Sequence, residues 1–330
     1  MQAIVSSEYG SADQMKLHEI ERPAVDIDDV LVRVRGASVN PLDWHEMRGE
    51  PYFGRLMGLG LRRPKNSRRG VDAAGTVEAV GEGVTELRPG DEVFGRCRGA
   101  FAEYVSGAEA DFVSKPARLT FEEAAAIPVA GVTALQALRD RGGIQAGQRV
   151  LINGAAGGVG TFAVQIAKVF GGDVTGVCST RNIELVRSIG ADHVVDYTVD
   201  DFTRNGQRYD LILDAVGNRS LRDLRRAATP KGTLLIVGGG GGRLLGPLTQ
   251  LARALVLSPF VGQRLLPTLT KIRKEDLVLL KELVDDGKVT PVVDRAYPLS
   301  EVPEAIRYLE TGHARGKVVI TVSSEPTEPQ

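Results

Sequence analysis

The sequence predicts an α/β protein of two units, one rich in antiparallel β-structure and one built around a doubly wound parallel sheet. Three observations carry this. The chain has 330 residues, beyond the size at which one hydrophobic core usually stops growing. Its first third sets short valine-rich runs between glycine and proline turns, and from Arg149 onward short apolar runs alternate with helical segments.

Taken in order, residues 27–35 alternate apolar and charged side chains after Val30, the period-two pattern of a strand with one buried face. Residues 71–80, 84–95 and 100–105 add extended runs, punctuated by the turns Gly81-Glu82-Gly83 and Pro89-Gly90-Asp91. At Thr120 the texture changes. Thr120-Phe121-Glu122-Glu123 is a capping box, with the hydroxyl able to satisfy an orphan N–H and Glu123 reaching back, and an alanine-rich helix is predicted to follow. Strands are then predicted at 150–153, 174–178, 193–196, 211–214 and 234–237, with helices over 158–170 and 183–189. Strands buried on both faces and separated by helices imply βαβ units and a parallel sheet, a Rossmann-type domain. Residues 277–284 read as helix, 289–297 as extended, 302–309 as helix and 317–322 as a last strand, a tail expected to return to the first domain. The expected organisation is therefore 1–121, 122–270 and a return over 271–330. The closing residues 323–330 lack an apolar anchor and are expected to fray.

Composition removes several partners. With 41 basic and 42 acidic side chains the formal net charge is −1, so no global field draws the chain to nucleic acid or an anionic membrane. The basic stretch 61–69 is expected to be a solvated loop. The most membrane-like stretch, 244–269, is interrupted by Gly246, Pro247, Arg253, Pro259, Gly262, Arg264 and Pro267, and a membrane span is not expected. Two separated cysteines, Cys97 and Cys178, exclude a disulfide framework and suit a reducing compartment. The first ten residues have neither the basic run nor the apolar run of a signal peptide, and a cytoplasmic location is expected.

The richest signal is Gly154-Ala155-Ala156-Gly157-Gly158-Val159-Gly160, directly after the predicted strand at 150–153 and opening the next helix. In such a turn Gly157 lets the backbone approach a pyrophosphate, Gly160 lets the helix pack closely on the strand, and the helix N-terminus faces the anion. Dinucleotide binding is expected through Ala156, Gly157, Gly158, Val159 and Gly160 rather than a bare tight turn. About 20 residues on, where an NAD site places a carboxylate for the ribose 2′-hydroxyl, stand Ser179, Thr180 and Arg181, followed by Asn182. Hydroxyls, an amide and a guanidinium suit a 2′-phosphate, which favours NADPH over NADH. The competing reading makes Thr180 or Asn182 the cap of the following helix. Ala215 and Val216, after Asp214, end a strand at the carboxyl edge of the sheet, and Val237, Gly238 and Gly239 end the next, both where ligands bind in such sheets; the glycine run 238–242 reads alternatively as a flexible linker, but its place after Leu234-Leu235-Ile236 favours the cofactor.

These features, with Ala37-Ser38-Val39-Asn40-Pro41-Leu42-Asp43, Gly70-Val71-Asp72-Ala73-Ala74-Gly75, Arg88-Pro89-Gly90-Asp91-Glu92-Val93, Ala125-Ala126-Ile127-Pro128, Gly131-Val132-Thr133-Ala134 and Ala191-Asp192-His193-Val194-Val195-Asp196-Tyr197, resemble the medium-chain dehydrogenase/reductase superfamily over essentially the whole chain. The similarity is to its zinc-independent quinone oxidoreductase branch, which implies a GroES-like β-rich catalytic domain beside the Rossmann domain. Zinc enzymes of the superfamily place ligands where this chain has Asn40, Val71 and Ala130, and the cysteine-rich structural zinc lobe is missing. Catalytic zinc needs three N, S or O ligands, so no metal is expected.

The resemblance implies further roles. It places Asn40 and Asp43 beneath the nicotinamide end of the cleft and makes Tyr52 a proton donor or substrate hydrogen-bond partner, with an ordinary packed aromatic as the alternative. Asp43, just after Asn-Pro, also suits a helix cap. Thr133 is implied at the nicotinamide ribose or carboxamide, Tyr197 at the adenosine phosphate and Lys317 as a late cofactor contact, with a plain surface lysine as the equal alternative. Without a Lewis acid, small apolar electron-poor acceptors, quinones and α,β-unsaturated carbonyls, become the implied substrates of NADPH-dependent reduction. The alternatives are an enoyl-thioester reductase and a non-catalytic NADPH-binding structural or sensor protein. A homodimer is implied, with residues 264–270 pairing across it.

Overall fold

In the computed structural model, residues 1–55, 59–237 and 262–322 are described; Gly238, Gly239, most of the stretch 244–269 and the closing 323–330 lie outside them. The strands run β1 Gln2–Val5, β2 Lys16–Glu19, β3 Asp29–Val39, β4 Asp72–Val80, β5 Glu92–Arg96, β6 Tyr104–Ala108, β7 Phe112–Ser114, β8 Arg149–Asn153, β9 Asp173–Cys178, β10 His193–Asp196, β11 Tyr209–Asp214, β12 Ala228–Ile236, β13 Arg264–Pro267, β14 Val293–Pro298 and β15 Lys317–Thr321. Helices are α1 Pro41–Arg48, α2 Tyr52–Gly54, α3 Phe121–Ala125, α4 Pro128–Leu135, α5 Gly158–Val169, α6 Ile183–Ser188, α7 Leu221–Ala227, α8 Lys274–Asp285 and α9 Val302–Glu310.

Two compact units result. The first comprises Met1–Val129, Ile272–Asp286 and Pro291–Gln330; the second comprises Ala130–Lys271 with Gly287–Thr290. Among the described residues the first unit holds a seven-stranded sheet in the order β14-β15-β3-β4-β5-β7, with β6 also pairing β3. The inward-facing Val30, Val32, Phe112, Val318 and Ile320 join Phe101 and Ile306 of α9 in one apolar core. In this sheet β15 pairs parallel to β14 and antiparallel to β3.

Two extended runs of this unit begin later than their composition suggests. Residues 84–91 do not form a ladder, because the Thr85, Glu86 and Leu87 N–H groups donate to the Glu109 carboxylate at 3.3, 2.7 and 2.8 Å. That side chain satisfies the backbone groups a strand partner would otherwise take, and β5 starts only at Glu92. Likewise β6 starts at Tyr104, since Phe101 N–H donates to Arg69 O instead.

The second unit is a six-stranded sheet among the described residues, ordered β10-β9-β8-β11-β12-β13, with every pairing parallel. This is the doubly wound order, and its reversal falls between β8 and β11. β8 is Arg149-Val150-Leu151-Ile152-Asn153, with its last four side chains buried, as a strand covered on both faces requires. The capping box at Thr120 is formed: Thr120 N–H donates to Glu123 and Glu123 N–H to the Thr120 hydroxyl. The alanine-rich helix after it is broken at Pro128 into α3 and α4. No described helix is long and apolar enough to cross a membrane.

Candidate active site

In the second unit the glycine turn lies at the end of β8, at the point where strand order reverses. Gly154 adopts φ +86°, a conformation open to glycine, and the N–H groups of Gly154 and Ala155 donate to Val177 O of β9. Gly157 is the N-cap of α5, and a Cβ there would meet only Gly154 O, at 3.4 Å. Gly160 is the opposite case. A Cβ on it would lie 2.0 Å from Gly154 O and 2.9 Å from Ala155 Cα, so only glycine lets α5 close on the turn. The outcome is a helix N-terminus at which only Gly154 O lies near a Cβ placed on Gly157, a geometry able to receive an anion on backbone N–H groups.

Neighbouring strand ends are tied to this turn. Asn153 Nδ2 donates to Asp214 Oδ1 at 2.8 Å, and the same oxygen accepts from Val216 and Gly217 N–H at 3.1 and 3.0 Å. Ala215 N–H donates to Asn153 O and Val237 N–H to Asp214 O. Buried Asp214 thereby fixes the loop that carries Ala215 and Val216 and anchors Val237. Thr133, on α4, accepts from Thr270 Oγ1 at 3.0 Å. β9 ends at Cys178, with Ser179 and Thr180 directly beyond and exposed Tyr197 donating its N–H to Cys178 O. Neither Thr180 nor Asn182 makes a side-chain cap bond to the following helix; the Thr180 hydroxyl donates to Asp196. Asp196 and Asp214 are not among the site residues expected from the sequence, although a carboxylate closing an apolar strand (Val194-Val195-Asp196, Leu211-Ile212-Leu213-Asp214) is a readable signal.

The first unit gathers a second group. The register of β3 sets Ser38 opposite Asp72 of β4 and Val39 opposite Val318 of β15, which brings Asn40, Asp72 and Lys317 together. Asp72 is fully buried and accepts from Ser38 Oγ at 3.0 Å, Asn40 Nδ2 at 2.9 Å and Val129 N–H, in the first turn of α4, at 3.2 Å. Lys317, 3% exposed, donates to Asn40 Oδ1 at 2.6 Å and Val39 O at 3.2 Å and lies 3.9 Å from Asp72. Both ends of the Asn40 amide are thus engaged inside the protein. Burial pushes the Asp72 carboxyl up and the Lys317 ammonium down, while their attraction works against both shifts.

Asp43 caps α1 from its third position, accepting from Asn40 N–H at 2.7 Å, while its own N–H donates to the Asn40 backbone carbonyl at 3.0 Å because the Asn40 side-chain oxygen is taken by Lys317. Burial pushes its carboxyl up to about 8; the Asn40 hydrogen bond opposes this, and the Asp72 and Glu46 charges add to it. Because the folded value lies above the ordinary 3.8, the stabilising contribution of neutral Asp43 is complete below 3.8 and is lost as pH rises through about 8. Asp43→Asn keeps the acceptor and removes the titration. Its unfolding midpoint is expected to fall less than that of the native chain between about pH 5 and 8, by thermal scans; parallel curves would refute the assignment.

The structure does not join Tyr52 to this group. It is 41% exposed, and the Arg55 guanidinium sits over its ring at 4.7 Å and over that of Tyr9 at 4.2 Å. The basic loop is solvated at Leu61, Arg62 and Arg63, but Arg69 at its end is buried, 3.8 Å from Glu46.

Known proteins decide the family. Residues 26–117 match the alcohol dehydrogenase GroES-like domain and residues 189–320 the zinc-binding dehydrogenase family. The chain is 33% identical to the Mus musculus mitochondrial NAD(P)H oxidoreductase RTN4IP1 over 98% of its own length and 89% of that protein. It is 33% identical to the chloroplastic NADPH-dependent alkenal/one oxidoreductase of Arabidopsis thaliana, over 97% and 79% of the two chains. The quinone oxidoreductase structure from Coxiella burnetii superposes with a TM-score of 0.84 at 30% identity, covering 98% and 99%. The chain belongs to the medium-chain dehydrogenase/reductase superfamily, in its quinone oxidoreductase branch. As a member of that branch it is an oxidoreductase with a GroES-like domain and a Rossmann domain. The zinc named in one family title does not fit the residues present. Val71 and Ala130 offer no donor atom, the Asn40 amide is engaged, and no group of three His, Cys, Asp or Glu among the described residues can hold a metal.

Proposed function

We propose that this member of the superfamily reduces quinones or α,β-unsaturated carbonyls with NADPH. The observation that carries the reading is the open N-terminus of α5 at the strand-order reversal, closed against β8 only because residue 160 is glycine. NADPH supplies the hydride. Ala156, Gly157, Gly158, Val159 and Gly160 would hold its pyrophosphate on backbone N–H groups, and Thr133, Ala215, Val216 and Val237 would line its nicotinamide half; Gly238 and Gly239, assigned to the same half, lie outside the described residues. Ser179, Thr180, Arg181 and Tyr197 take its adenosine half.

Substrate class follows from the donor set. With no side chains among the described residues arranged to hold a Lewis acid, the chain favours acceptors whose own conjugated carbonyl takes up the charge that develops as hydride arrives. Tyr52, exposed and with the Arg55 guanidinium over its ring, is the proton donor or substrate hydrogen-bond partner. Asn40, Asp43 and Lys317 act by fixing the start of α1 and the end of β3. The chain works in the cytoplasm as a homodimer; its two buried free cysteines and the sheet-edge position of β13 support this.

Oxidation of NADPH in the presence of a panel of quinones, enones, simple ketones and enoyl thioesters tests the reading. Turnover with quinones or enones and none with simple ketones is expected. Tight NADPH binding without turnover on any acceptor would leave a non-catalytic binder, and turnover confined to enoyl thioesters would replace the substrate class.

A further inference from the structure

The end of β9 holds a carboxylate that comes from the neighbouring strand. β10 pairs with β9 so that Asp196 lies opposite Cys178, the last residue of β9. Thr180, two residues further, donates its hydroxyl proton to Asp196 Oδ2 at 2.5 Å. The same oxygen atom of Thr180 lies 3.1 Å from Thr198 Oγ1, but Thr198 gives its own proton to Asp196 Oδ1 at 2.7 Å, and Thr198 N–H adds a bond at 2.9 Å. These bonds, that from Thr180 foremost, hold the Asp196 carboxyl below the usual carboxylate range.

A hydroxyl has one proton and two lone pairs. With its proton committed to Asp196, Thr180 presents only lone pairs outward. A ribose 2′-hydroxyl can donate to such an oxygen; a 2′-phosphate, which only accepts, cannot use it and also meets the Asp196 charge nearby. Ser179 is the contrasting case, because its hydroxyl accepts from Asn182 Nδ2 at 3.3 Å and keeps its proton to give. The two adjacent hydroxyls therefore present opposite polarity.

We infer that Asp196 sets cofactor selectivity: by holding the Thr180 proton it turns that hydroxyl toward a ribose 2′-hydroxyl, and the chain takes NADH as well as NADPH. This rests on the nicotinamide-cofactor reading above. It adds that the absence of a carboxylate at the end of β9 itself does not free the site for the 2′-phosphate, because the adjoining strand supplies one.

Calorimetric titration with adenosine 5′-monophosphate and adenosine 2′,5′-bisphosphate isolates this half of the cofactor from turnover. The native chain is expected to bind both. Asp196→Asn and Asp196→Ala are each expected to shift the affinity ratio toward the bisphosphate by about tenfold, the worth of one hydrogen bond to a charged group. Thr180→Val, which keeps the carboxylate, is expected to weaken the monophosphate and leave the bisphosphate unchanged. Thermal unfolding within a few degrees of the native chain certifies each variant. An unchanged ratio in the folded Asp196 variants, with both ligands still bound, overturns the role of Asp196 alone. Failure of the native chain to bind either ligand overturns the cofactor reading, and this inference with it.

Discussion

Asp72→Ala is expected to lower the unfolding free energy by about 3–5 kcal/mol, the usual cost of removing one member of a buried ion pair. Three donors converge on this carboxylate, from Ser38, Asn40 and Val129, and Lys317 lies 3.9 Å away. The alanine variant leaves the Lys317 ammonium, 3% exposed, without its counter-charge and the three donors without an acceptor. Lys317→Met is expected to be destabilising for the mirror-image reason. Because the two residues share one network, the double variant should lose markedly less than the sum of the singles. Urea unfolding of the four proteins measures this; simple additivity would show that Asp72 and Lys317 do not act as a pair. Loss of the pair also frees the Asn40 amide, so turnover should fall further than thermal stability alone accounts for at a temperature where the variant remains folded.

Gly160→Ala is expected to have the largest effect on cofactor binding. The added methyl would stand 2.0 Å from Gly154 O and 2.9 Å from Ala155 Cα, and both obstructing atoms are backbone, so no rotamer change relieves the clash. Either α5 moves off β8 or the turn opens. Overpacking of this kind costs about 1–3 kcal/mol, and the same displacement moves the N–H groups proposed to hold the pyrophosphate. NADPH affinity should fall by at least about tenfold while the unfolding midpoint drops by several degrees. Gly157→Ala is the internal control. Its methyl meets only Gly154 O at 3.4 Å, so the fold should hold while cofactor affinity falls, because the methyl stands on the backbone proposed to approach the pyrophosphate. Equal behaviour of the two variants would show that the turn discriminates nothing between these positions.

The second unit was legible in the sequence to a degree the first was not. Strands covered on both faces produce unbroken apolar runs such as Val150-Leu151-Ile152, and the glycine trio marks the turn from strand to helix, so the positions of these elements could be read there. In the first unit, sequence pattern located β3 and the C-terminal return but overextended the run beginning at residue 84, because the Glu109 carboxylate that caps Thr85, Glu86 and Leu87 is more than 20 residues away and leaves no local trace. The site shows the same division. Gly157 and Gly160 follow from local spacing, whereas the Asp72, Asn40 and Lys317 network depends on the register of three strands, and the Thr180–Asp196 bond on the pairing of two. Residue type told which groups were chemically able to act. Only pairing across strands told which of them had already given their hydrogen bonds to the protein.

The return of the tail into the first sheet governs the order in which the molecule can be finished during synthesis. β15 sits between β14 and β3, and Lys317 reaches Asn40 across 277 positions of chain. All of Ala130–Lys271 leaves the ribosome before that strand exists. The second unit, whose sheet is drawn almost wholly from one continuous stretch, can therefore assemble while the first still exposes one side of β3 and an Asp72 without its cation. The unit synthesised first is completed last, and in that interval β3 offers an open edge to chaperones or to misplaced strands.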